Sequence, residues 1–171
     1  MRPIGGFLLL ACVTLLLRST ALSSLATHGV LVDALAFATV VWALRHGDSW
    51  GSTFGFFTGL IADLDAARWL GRHALVLSLL GYAIGRVSST LVRESARTQF
   101  ALIAVATLIH QAWCASFELG GGIVAAPWLL THALLATGVT AALGTVLLMV
   151  LRALGGGRPL FGYASRSATP S

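Results

Sequence analysis

Six apolar stretches, joined by links too short to fold on their own, dominate this chain of 171 residues. They run at about 4–22, 29–44, 50–64, 73–92, 99–118 and 127–151. Each is long enough, or nearly so, for a helix crossing a hydrocarbon core that takes about 20 residues. Mean hydropathy is +0.87 and only 10% of residues are charged, against roughly 25% in a soluble domain. The chain is therefore expected to be all-α. It reads as a polytopic integral membrane protein with six transmembrane helices in a compact bundle (residues 1–154), followed by a flexible cytoplasmic tail at 155–171 that is rich in Gly, Ser and Pro.

Arginine supplies all eleven basic residues, and the net charge is +5. The arginines stand singly at segment ends and form no basic stripe, which argues for topology and against nucleic acid. With the N-terminus inside, Arg2, Arg45, Arg86, Arg93, Arg97, Arg152, Arg158 and Arg166 fall on the cytoplasmic side, and Arg18, Arg68 and Arg72 outside. That asymmetry predicts cytoplasmic N- and C-termini. Trp42 and Trp50 flank the second inner boundary, and Trp69 and Trp128 lie near the outer one, positions that suit interfacial belts. The opening MRPIGGFLLLACVTLLLRS has features of a signal peptide. Leu10 before Cys12 fits lipoprotein processing poorly, and a retained first span is expected.

Small residues sharpen the picture. Gly51, Gly55, Gly59 and Asp63 recur every four positions on the third segment, and His73, Leu77, Gly81 and Gly85 do so on the fourth. Residues four apart lie above one another on a helix, so each segment presents a ridge that lets another backbone come close. A link of about eight residues makes the two segments antiparallel neighbours. Asp63 lies about 18 Å along the axis from Gly51 at ~1.5 Å per residue, within the outer leaflet of a core ~30 Å thick. A carboxylate there should face protein or a cavity. His73 opens the next helix at the same face. The two either meet, directly or through a shared water, and pin the link, or both reach water at a short helix end. Asp33 and Glu118 lie towards outer ends, His132 in the outer part of the sixth span. His110 and Gln111 sit near the middle of the fifth, with Cys114 one turn later. Arg86, about a turn and a half inside the fourth span, is expected to snorkel.

No catalytic constellation is evident. Metalloprotease spacing, a phosphate-cradling loop, a nucleophile elbow and paired carboxylates are all missing, and two thiols, Cys12 and Cys114, are too few for a thiolate metal site. The expectation is no enzyme activity, no catalytic residue, no cofactor and no metal.

The run from Gly55 to Arg86, GFFTGLIADLDAARWLGRHALVLSLLGYAIGR, resembles the central signature of the rod-shape-determining MreD family. That signature has a glycine-containing span ending in aspartate, a Leu-Gly-x-His-Ala-like entry and a Gly-Tyr-x-x-Gly-Arg-like exit. Asp63, Leu70, Gly71, His73, Ala74, Gly81, Tyr82, Gly85 and Arg86 match it. Arg72 stands where an apolar residue is more usual, and the link DAARW is unusually charged. The resemblance implies a non-enzymatic inner-membrane scaffold of the bacterial elongation machinery, the elongasome. Its implied partners are a bitopic MreC-like protein and, through it, an MreB-like filament and the peptidoglycan synthases. It also implies a fold similar to the substrate-capture subunits of energy-coupling-factor vitamin transporters. Candidate packing or partner-contact residues are Gly51, Gly55, Gly59, Asp63, Arg68, Arg72, His73, Gly81, Gly85 and Arg86. The alternative is a vitamin-binding subunit of that transporter kind, with Asp33, Asp63, His73, Glu118 and His132 as pocket groups. Such subunits usually offer more aromatic and amide groups near the outer loops than Trp69, Phe117 and Trp128.

Overall fold

A computed structural model describes residues 2–19, 32–66, 70–88, 95–118 and 127–154. The described residues form six helices and no strand: α1 (Arg2–Ser19), α2 (Ala34–His46), α3 (Asp48–Ala66), α4 (Arg72–Val87), α5 (Ala96–Glu118) and α6 (Pro127–Leu154). Arg68, Trp69 and the tail at 155–171 lie outside the described residues, as do the side chains of Glu118, Trp128 and His132.

Helix boundaries follow from caps. Asp33 is the N-cap of α2, its Oδ1 accepting from the Ala36 N–H at 3.0 Å, so this helix starts later than the expected residue 29. One residue, Gly47, separates α2 from α3. Its φ of 88° lies in the left-handed region that side chains disfavour, and it turns the chain within a single position. At the other end, α4 is described to Val87, with Ser88 as its C-cap; the expected continuation to 92 lies outside the described residues. Arg86 lies in the last turn of α4, exposed and 3.9 Å from Asp48, instead of a turn and a half inside.

The α3–α4 hairpin is the tightest pair in the bundle, and α5 and α6 form the second. Between these pairs runs α2, most of whose side chains are buried. Leu44, Val40, Leu77, Ile103 and Ala141 meet in one apolar core. A second cluster joins α1 to α2 and α3, where Phe7 sets its edge on Trp42 and Phe54 at 5.7 and 5.2 Å. Trp42 is only 4% exposed and stacks on Phe54 and His46. It is thus a core residue, contrary to its expected place in an interfacial belt, because its ring finds two aromatic faces within the bundle. Trp50 is exposed.

The bundle carries apolar groups outward and polar groups inward. Leu9, Leu79 and Leu135 are more than 60% exposed, whereas Thr58, Asp63 and Thr107 are fully buried. Thr39, Thr58 and Thr145 return their hydroxyls to carbonyls four residues back at 2.7–2.8 Å, which satisfies them without water. Such an outward apolar surface is unusual for a protein surrounded by water and natural for one surrounded by lipid. Among the described residues, two stretches, Ala96–Phe117 and Ala133–Leu151, are long and apolar enough to cross a membrane.

Candidate functional site: two aspartate–histidine pairs

Backbone contact along the α3–α4 seam sets the first pair in place. A Cβ added at Gly51 would stand 2.6 Å from the Gly81 carbonyl oxygen, and one at Gly59 2.6 Å from Ala74 Cα. Gly55 faces the Leu77 peptide, Gly81 the Gly51 peptide, and Gly85 the Gly47–Asp48 backbone. All five glycines of the two ridges therefore meet the opposite helix directly. Ser52 and Ser78 add a hydroxyl contact across the seam at 2.9 Å.

At the open end of that seam stands Asp63, fully buried. The N-cap of α4 is Gly71, which has φ 92° and no side chain to offer. Asp63 supplies the missing acceptor from the neighbouring helix. Its carboxylate receives the backbone N–H groups of Gly71 (3.0 Å), His73 (3.0 Å) and Ala74 (3.1 Å). These donors are among those that a helix leaves unpaired in its first turn, where the helix dipole also favours a negative charge. The same carboxylate holds His73 Nδ1 at 2.7 Å. Of the two sequence readings for this corner, the direct contact is the one realised.

A second pair repeats the design with residues far apart in the chain. Asp33 caps α2 with Oδ1 and binds His110 Nδ1 of α5 through Oδ2. Its own backbone N–H donates to Thr140 Oγ1 of α6 at 2.9 Å. Asp33 and His110 are 6% and 5% exposed. His110 lies eight residues before the end of α5, about 12 Å at ~1.5 Å per residue. This pair belongs to the interior.

The two pairs adjoin. The rings of His73 and His110 have centroids 5.3 Å apart. Cys114, one turn beyond His110, completes a group in which one donor atom each from His73, His110 and Cys114 lies within 4.8 Å of the others. In the sequence His110 and Cys114 stand four apart on one helix with nothing to give them a common role, and nothing there pairs Asp33. Separations of 77 and 107 residues leave no local signature.

Near this cluster, a cavity of about 270 Å³ is lined by Leu70, Gly71, Arg72, Leu75, Trp113 and Phe117. Trp113 donates from Nε1 to the Arg72 carbonyl at 3.1 Å, joining α5 to the start of α4. Arg72 itself is half-buried.

A helical bundle with buried ionic caps and an apolar exterior defines a membrane-associated, all-α protein. The chain matches the family described as rod shape-determining protein MreD over residues 1–153, and it belongs to that family. Comparison with curated proteins and with solved structures returns no match. Membership assigns the chain a role in determining rod shape.

Proposed function

We propose that this protein is a non-enzymatic scaffold of the bacterial elongation machinery. It spans the inner membrane six times with both termini in the cytoplasm. It receives the transmembrane helix of a bitopic MreC-like partner, and through that partner supports an MreB-like filament and lateral peptidoglycan synthesis. The family match over 1–153 carries this reading. Physical support comes from the packing. Helices such as α3 and α4, locked backbone to backbone, offer a stiff surface of fixed shape, and lipid-facing recognition rests on van der Waals fit and a few hydrogen bonds. Leu75, Leu79 and Tyr82 on α4 and Phe56, Phe57 and Ile61 on α3 are exposed large apolar groups for such contact.

The vitamin-carrier alternative finds less support. Asp33, Asp63 and His73, three of its five pocket groups, are engaged with one another's helices or with His110. The described cavity is walled mainly by apolar side chains.

The test is affinity purification of the full-length protein from native membranes in mild detergent, with mass spectrometry of what is retained. Recovery of a bitopic coiled-coil protein with cell-wall synthases is expected. Recovery of an ATPase pair and a bound vitamin would overturn the scaffold reading.

A further inference from the structure

We propose that His73, His110 and Cys114 form a binding site for a borderline transition-metal cation of the zinc(II) class, with Asp63 and Asp33 as the outer carboxylates that hold the two imidazoles. Each histidine has Nδ1 engaged by an aspartate, which makes Nε2 the nitrogen left to bind a metal. This carboxylate–histidine arrangement fixes tautomer and ring orientation and raises ligand basicity at metal centres. Among the described residues the buried His110 Nε2 has no partner at hydrogen-bonding geometry, an arrangement that proteins seldom retain without a reason, and the Cys114 side chain lies beside this imidazole.

Two imidazoles and one thiolate suit zinc, cobalt or copper and discriminate against magnesium and calcium. One donor atom from each of the three residues lies within 4.8 Å of the others. Bonds of about 2.0–2.3 Å bring such atoms to about 3.3–3.8 Å, so the ligands draw inward by about 1 Å. Cys114 is the partly exposed member and supplies the route of entry. The ion would bridge the seam between α4 and α5, where packing is far sparser than within α3–α4 or α5–α6. It would thereby tie the two helix pairs together at the end where both aspartates sit.

The experiment uses tag-free full-length protein in lipid nanodiscs, stripped with a chelator and titrated with zinc alone against a chromophoric competitor. Cobalt then serves as a spectroscopic probe. One zinc per chain is expected, and the cobalt form should show a thiolate-to-metal charge-transfer band. Cys114→Ser should abolish that band, whereas Cys12→Ser, altering an exposed thiol on α1, should leave it unchanged. Asp33→Asn keeps an oxygen to cap α2 and should weaken zinc binding about 10–100-fold. The serine variants change one atom and guard against loss of fold. Absence of zinc binding by the wild-type protein would overturn the site. So would a cobalt spectrum lacking the thiolate band, or a band that survives Cys114→Ser.

Discussion

Replacing Gly55 by alanine isolates what backbone contact between α3 and α4 contributes. A Cβ there would lie 2.5 Å from the Leu77 carbonyl carbon and 3.0 Å from the Ser78 nitrogen, whereas ordinary contact begins at 3.4 Å. The obstructing atoms are main chain, so no side chain can rotate away and the helices must part by about 1 Å. Overpacking of this sort costs about 1–3 kcal/mol. The Ser52–Ser78 contact of 2.9 Å would stretch beyond bonding distance, adding ~0.6 kcal/mol for an average hydrogen bond between membrane helices. Alanine returns up to ~1 kcal/mol through its higher helix propensity. The expected net loss is about 2 kcal/mol. Gly138 in α6 is the control, since a Cβ there meets nothing within 4 Å, and Gly138→Ala should be neutral or stabilising by up to ~1 kcal/mol. Reversible unfolding in mixed micelles, titrated with a denaturing detergent, measures both. If the two variants differed by less than about 0.5 kcal/mol, within ordinary surface scatter, close approach would not be what holds this hairpin.

Further expectations concern the polar interior and the aromatic cluster. Asp63→Ala removes the acceptor for three first-turn N–H groups and His73. It should cost about 2–4 kcal/mol given the value of a cap and of hydrogen bonds to a charged group, while Asp63→Asn, which keeps one oxygen, should cost less than half as much in the same titration. Thr140→Val deletes the acceptor of the Asp33 N–H at nearly constant shape and should lower stability by about 1 kcal/mol. An unchanged midpoint would show that the bond is replaceable. Trp42→Ala empties the junction of α1, α2 and α3 and should cost about 3–5 kcal/mol. A surface-belt tryptophan would cost far less, so this variant also checks the buried placement.

Legibility in the sequence tracked distance along the chain. Six apolar stretches announced six helices, and residues four apart announced the ridges that meet across α3 and α4. Asp63 and His73 were readable as a pair because a short link leaves them little freedom to be elsewhere. Asp33 and His110 were visible only as isolated polar residues, since no period connects positions on helices of different pairs. Trp42 illustrates a different failure. Its place at a segment end suits an interfacial ring equally well, and only the arrival of Phe7 and Phe54 around it decides the matter. The hydroxyl bond from Ser88 to the Gly85 carbonyl at the C-cap of α4 is likewise not announced by the apolar pattern.

The two aspartates imply different waiting times during synthesis. Asp63 finds its donors 8–11 residues later, within about 0.5–2 s of translation at ~5–20 residues per second. On the six-span reading proposed above, α3 and α4 would enter the bilayer as one hairpin with this cap already made. Asp33 must wait 77 residues for His110 and 107 for Thr140, about 4–20 s at the same rates. Throughout that interval α2 has a carboxylate at its head without either long-range partner. The settling of α2 therefore waits on the last two helices, although it is the second to be made.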